Sequence, residues 1–138
     1  MLQNRNNKLN RKYFLKHKLE IQNLFEKGMR FSNAPIKIVY LVKENNNHIG
    51  IKLFLSVPKK QINKACDRNL IKRRIKESIR LNLSELKQLC TDKKIEIHIG
   101  FVYYSNKIED YNIIDNKIVL SLQNIYSNLL NLWKKLIN

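Results

Sequence analysis

From Ile95 to Tyr103 a large apolar side chain recurs at every second position: Ile95, Ile97, Ile99, Phe101 and Tyr103. A β-strand sends alternate side chains to opposite faces, so only a strand can bury all five against one core. The predicted strand spans 94–104, with Glu96 and His98 on its other face. The chain must therefore build a sheet that is covered on at least one side.

Two further strands are expected upstream. Pro35 opens the β-branched run IKIVYLV, which places Ile36, Ile38 and Tyr40 on one face and Lys37, Val39 and Leu41 on the other. The polar ENNN at 44–47 reads as a turn. His48 to Val57 reads as the next strand, bent or bulged around Gly50 and ended by Pro58.

Helical spacing appears in three places. Phe14, Ile21, Leu24 and Phe25 define a short amphipathic helix from Phe14 to Lys27, with Gly28 as its C-terminal cap. Asn63 to Leu89 reads as a longer helix that breaks near Asn82 or Leu83. Lys117 to Ile137 carries the stripe Leu122, Ile125, Leu129, Trp133 and Leu136, which is read as core. The order α-β-β-α-β-α predicts an α/β (α+β) two-layer sandwich, one sheet with helices packed on it. A length of 138 residues suits a single domain, with 1–12 expected as a flexible basic arm.

The formal net charge is +16, from 27 lysines and arginines against 11 acids. A compact body of that charge repels itself, so a polyanionic partner is expected. The chain is rich in Asn, Lys and Ile throughout, so the position of the cations says more than their number. Between Lys59 and Arg80 the only acids are Asp67, which suits a helix N-terminus, and Glu77. On a helical wheel Ile71, Ile75, Ser78 and Ile79 form one narrow apolar stripe. Asn69, Lys72, Arg73, Lys76 and Arg80 form another, rotated away from it. Arginine forks suit phosphate oxygens bidentately, and lysines act as mobile point charges. Asn69 can both donate and accept, which suits a base edge or a ribose hydroxyl. A helix that buries isoleucines and presents this ridge is a surface for nucleic acid. A membrane partner is disfavoured, since no segment approaches the ~20 apolar residues that span a bilayer.

Other chemistry finds little support. Cys66 and Cys90 are too few and too far apart for a zinc site, and His17, His48 and His98 do not group with them. Glu109, Asp110 and Asp115 are the one local gathering of acids and read as a solvated turn. Three glycines offer no phosphate-cradling loop, and no catalytic residue is assigned. The first residues, MLQNRNNKLNRKYF, lack the apolar run of a signal peptide, which points to the cytoplasm.

At the basic helix the chain resembles the protein subunit of bacterial ribonuclease P. That family ends a strand in Ser-Val-x-Lys-Lys, here SVPKK at 56–60. It continues with an Arg-Asn-Arg signature, here ACDRNLIKRRIKESIR at 65–80, with Ala65, Arg68, Asn69, Lys72, Arg73, Glu77 and Arg80 in register. Upstream, FLKHKLEIQNLFEKGMRFS at 14–32 is similar to the family's first helix, its glycine and the loop that follows. The resemblance covers nearly the whole chain.

It implies a mixed sheet with a left-handed βαβ crossover, an exception to the usual handedness. It implies an RNA-binding subunit of an endoribonuclease that removes the 5′ leader of precursor tRNA. Catalysis and Mg2+ then reside with the RNA subunit, and the protein alone binds no cofactor. By the same resemblance Lys64, Arg68, Asn69, Lys72, Arg73, Arg74, Lys76 and Arg80 contact the catalytic RNA. Ile21, Phe25 and Tyr40 line a cleft for the single-stranded leader, with Ser56, Lys59 and Lys60 near its edge. Aromatic faces there suit unpaired bases.

Two positions depart from the pattern: Leu70 replaces the second arginine of the signature, and Lys76 replaces an arginine. Arg74, one turn beyond Leu70 on the same side, is a candidate to compensate. Ile21 stands where an aromatic is common. A ribosomal or ribosome-assembly RNA binder is the rival reading. A DNA-binding recognition helix is weaker still, because a strand and SVPKK occupy the place of the preceding short helix that such a motif needs.

Overall fold

The computed structural model describes residues 9–43 and 48–137, and of 136 and 137 the backbone alone. The expected turn at 44–47, residues 1–8 of the expected arm and the Leu136 side chain therefore lie outside the described residues. After a 3-10 turn at Arg11–Tyr13 come α1 (Lys18–Lys27), β1 (Met29–Asn33), β2 (Ile36–Lys43) and β3 (Gly50–Ser56). Then follow α2 (Ala65–Asn82), α3 (Ser84–Lys93), β4 (Glu96–Tyr103) and α4 (Tyr111–Ile137).

The strands form one sheet in the order β1-β2-β4-β3. β1 pairs antiparallel with β2, and β2 antiparallel with β4, while β3 runs parallel to β4. That parallel pair is joined through α2 and α3, so the sheet is mixed and contains a β-α-β crossover.

The alternation in β4 works as expected. Ile97, Ile99, Phe101 and Tyr103 are all buried, together with Ile36, Ile38 and Tyr40 of β2 and Ile51 and Leu53 of β3. On this face α2 buries Ile71, Ile75, Ser78 and Ile79, the very stripe the wheel picks out. α4 adds Ile114, Ile118, Leu122, Ile125 and Leu129. Trp133 packs half-buried at the end of this stripe, with Lys93 Nζ 5.6 Å from its ring centroid.

The opposite face holds a smaller cluster of Leu15, Leu24 and Val39, with Ile21, Phe25, Leu41 and Phe54 packed against it. This is the seat of α1. Glu96 and His98 also lie on this face, as expected, but they are buried, with His98 Nε2 2.9 Å from Glu96 Oε1.

Several boundaries differ from the sequence reading. α1 begins at Lys18 rather than Phe14, because Phe14 and Leu15 run extended along β3, where Leu15 N–H donates to Leu53 O at 2.8 Å. Part of the expected loose arm is thus ordered: Asn10 caps the 3-10 turn by accepting from Lys12 N–H at 2.9 Å. β1 was expected as loop. Its sequence MRFSN alternates only across Met29 and Phe31 and has no β-branched residue, and its register with β2 comes from the two-residue turn at Ala34 and Pro35.

The predicted break in the basic helix falls at Leu83, which is buried and separates α2 from α3. α4 starts six residues earlier than expected. Asp110 supplies the reason: its Oδ1 accepts from Ile113 N–H at 3.0 Å, capping the helix. Asp115 is inside α4, where its Oδ1 accepts from Ser78 Oγ at 2.6 Å and from Asn82 Nδ2 at 3.3 Å. The acidic gathering at 109–115 is a cap and an inter-helix tie, not a solvated turn.

β3 begins at Gly50 rather than at His48, so no bend falls inside the strand; Gly50 has φ +130°, a conformation that favours glycine. Gly28 is the C-terminal cap of α1, as expected, its N–H donating to Leu24 O at 2.9 Å, but its φ of −72° is not left-handed. It is needed because the chain is crowded. A Cβ there would lie 2.5 Å from Leu24 O, 2.6 Å from Val39 Cγ2 and 2.9 Å from Tyr40 O.

Candidate nucleic-acid interfaces

α2 turns its isoleucines inward, so the cations named on the other stripe face outward. Lys64, Asn69, Arg73 and Lys76 are exposed, while Lys72 and Arg80 are half-buried. Lys76 Nζ sits 5.3 Å from the Phe14 ring centroid, which carries the basic surface onto the segment before α1.

Not every cation of the helix is equally available. Arg68 donates to Ile62 O at 3.0 Å and to Asn63 O at 2.7 Å, which ties down the entry to α2. Arg74 donates to Glu109 O at 2.5 Å and holds the loop before α4. That bond already engages the guanidinium that was the candidate to compensate for Leu70, itself half-buried. Arg80 forms an ion pair with Glu77 at 2.6 Å. Hydrogen bonding from Arg80 holds the Glu77 carboxyl below its usual range, and the same bond raises the guanidinium.

The second interface lies on the sheet face that carries α1. Phe25 of α1 meets Phe54 of β3 edge to face, with ring centroids 5.5 Å apart and planes at 88°. Beneath them Gly100 of β4 leaves the floor bare. A Cβ at Gly100 would stand 2.9 Å from Val39 Cγ1 and 3.5 Å from Phe25 Cζ. Beside this pair opens a cleft of about 430 Å³ lined by Phe25, Arg30, Ser32, Lys37, Val39 and Val102. Arg30 donates to Phe25 O, linking β1 to the end of α1. The cleft combines aromatic edges, a small apolar floor and two cations, which is the chemistry that holds an unpaired nucleotide strand.

The structure gathers some of the expected cleft residues and separates one. Ile21 and Phe25 are half-buried on α1 at the cleft face. Ser56 is in register with Val102, and so shares the cleft face. Lys59 and Lys60 are exposed on the turn between β3 and α2, where Gln61 N–H donates to Pro58 O at 3.0 Å.

Tyr40 is a correction. It points to the opposite face, is 5% exposed, stacks edge-on against Phe31, and accepts from Asn128 Nδ2 of α4 at 3.3 Å. Strand alternation decides this: Val39, one residue earlier, takes the cleft side. Sequence reasoning missed Arg30, Lys37 and Phe54. Lys37 and Phe54 were legible from alternation once the cleft face was known; Arg30 was not, because β1 was unseen.

Both cysteines are free. Cys66 is exposed at the start of α2. Cys90 is buried, and burial, with the Glu96 charge nearby, pushes its thiol up to about 11. Among the described residues no three His, Cys, Asp or Glu side chains gather to hold a metal ion. No described helix is long and apolar enough to cross a membrane.

Comparison with known proteins gives the family and the fold. Residues 9–136 match the sequence profile of the family described as Ribonuclease P. A ribonuclease P protein component from Porphyromonas gingivalis is 28% identical over 110 residues, covering 80% of each chain. One from Phytoplasma australiense is 44% identical over 78 residues, or 56% of this chain and 65% of its own. Among solved structures, the RNase P protein of Staphylococcus aureus superposes with a TM-score of 0.61 at 23% identity, covering 80% of this chain and 94% of that one. The Thermotoga maritima RNase P protein gives the same TM-score and coverage at 18% identity. At these identities the structural likeness speaks for the fold.

Proposed function

The chain belongs to the ribonuclease P protein family, and we propose that its two interfaces divide the work of that enzyme. It is the RNA-binding protein component in the maturation of tRNA 5′ ends, an endoribonuclease whose catalysis is carried by RNA. The α2 ridge, from Lys64 to Arg80, docks on the catalytic RNA. The cleft beside Phe25 takes the single-stranded 5′ leader of precursor tRNA.

The observation that carries this reading is the separation of the two surfaces. A ridge dominated by cations, with the Phe14 ring only at its margin beside Lys76, suits the backbone of structured RNA, which is recognised by shape and phosphate. A cleft with aromatic edges and only two cations suits unpaired bases. The protein contributes affinity and charge neutralisation. Magnesium belongs to the RNA in this scheme, since phosphate oxygens are its natural partners. Of the expected contacts, Lys64, Asn69, Lys72, Arg73 and Lys76 remain the best placed on the ridge. Arg68, Arg74 and Arg80 serve the protein's own loops and helix first. In the cleft, Arg30, Lys37 and Phe54 join Ile21, Phe25 and Ser56, and Val39 stands in place of Tyr40.

Reconstitution tests the proposal. Added to a bacterial ribonuclease P RNA, the protein lowers the Mg2+ concentration needed for cleavage and favours leader-bearing precursor over mature tRNA. Tight binding to ribosomal RNA with no effect on cleavage would mean a ribosomal role instead.

A further inference from the structure

Tyr104 lies one residue past β4. Its N–H donates to Pro35 O at 2.9 Å, continuing the ladder in which Tyr103 faces Ile36 and Val102 faces Lys37. Alternation then puts Tyr104 on the same face as Gly100 and Val102, the cleft face. Lys37 confirms the placement. It lines the cleft, and its Nζ stands 4.8 Å from the Tyr104 ring centroid.

The cleft face can be read as rows across the sheet. Phe54, Gly100, Val39 and Arg30 form the first, under the Phe25 ring. Ser56, Val102, Lys37 and Ser32 form the second, small or cationic throughout. Tyr104 stands alone beyond them. Gly100 and Tyr104 are four residues apart, roughly 13 Å along an extended strand.

We propose that Tyr104 is a second base-stacking platform, reached by a leader that leaves the Phe25–Phe54 pair and crosses Lys37. This rests on the reading of the cleft as the leader site. Lys37 is central to it: exposed, it covers the Tyr104 ring in the free protein and can move to a phosphate when a base takes that ring face. A cation over a ring and a base on a ring use the same π-surface, so one can replace the other. The structure thus assigns single-stranded RNA two stacking stations with a cation between them.

The test compares precursor tRNAs bearing a one-nucleotide leader and a leader of about eight nucleotides, within the size range of single-strand sites, bound by holoenzyme reconstituted with each variant. Tyr104→Ala weakens binding of the long-leader substrate by about 5- to 150-fold, the range of one lost base stack. The short-leader substrate and the affinity for the RNA subunit stay unchanged. Tyr104→Phe keeps the ring and keeps the affinity. Tyr104→Leu fills the same space without a π-face and behaves like Tyr104→Ala, which guards against a folding defect in the smaller variant. Equal losses for both leaders, or no loss for either, overturn the proposal. Phe25→Ala separates the two readings. If it weakens leader binding while Tyr104→Ala and Tyr104→Leu do not, only the second platform falls; if none of these variants weakens it, the cleft reading falls as well.

Discussion

Arg73 differs from the other arginines of α2 in how it is held. Among the described residues, none hydrogen-bonds to its exposed guanidinium, whereas Arg68, Arg74 and Arg80 each donate to a backbone oxygen or a carboxylate. Its charge is therefore available to a phosphate without breaking an internal bond. Arg73→Ala weakens binding to the RNA subunit and lowers the slope of log affinity against log salt by about one unit, the contribution of one phosphate contact. A titration series at several salt concentrations checks this, and an unchanged slope removes Arg73 from the interface. Residue identity alone made the ridge legible, because 3.6-residue spacing separates isoleucines from cations with no knowledge of the fold. It could not tell which cations were already engaged. Arg74 and Glu109 are 35 residues apart in the chain, and their contact exists only once α2 and the segment before α4 are packed.

Among the elements, α1 is the one whose seating decides the cleft. Its last turn runs into Gly28, and a side chain there would press on backbone oxygens of Leu24 and Tyr40 as well as on Val39. Carbonyl groups in a helix end and a strand cannot swing aside as a side-chain tip can. Gly28→Ala accordingly costs about 1–3 kcal/mol of stability, the usual range for overpacking, and it loosens α1 from the sheet. Urea denaturation should show a lower midpoint with an unchanged slope, and leader affinity should fall along with it. Full stability would show that α1 can shift at no cost. A glycine after a helical stripe was visible in the sequence, but its reason was not. The usual expectation is a left-handed cap, while here the backbone is extended and the demand is space. β1 was invisible for a related reason. An edge strand with one neighbour needs little hydrophobic patterning, and MRFSN offers only Met29, which is exposed, and Phe31.

For the molecule as a whole, the dominant quantity is the net charge of +16 on 138 residues. Few acids are available to neutralise it, and Glu96, Asp115 and Glu77 are engaged within the fold. Self-repulsion therefore opposes the compact state when no RNA is bound. Raising the ionic strength from 10 mM to about 150 mM shortens the screening length from about 30 Å to about 8 Å. The RNA-free protein should become more resistant to urea over that interval. A midpoint that falls with salt would show that its surface ion pairs outweigh the repulsion.

The sequence by itself determined the elements that carry strong periodicity: the alternating strand β4, the buried stripe of α2 and the outward ridge. Its motifs also pointed to the family that the comparisons then showed. These are properties of residues two to four positions apart, and local geometry alone translates them into faces. Tertiary structure decided the cleft. Which face of β2 meets α1, and hence that Val39 rather than Tyr40 lines the site, depends on strand register and on which sheet face each helix covers. Phe25, Phe54, Lys37 and Tyr104 come from four segments of the chain, and it is the sheet that makes them neighbours.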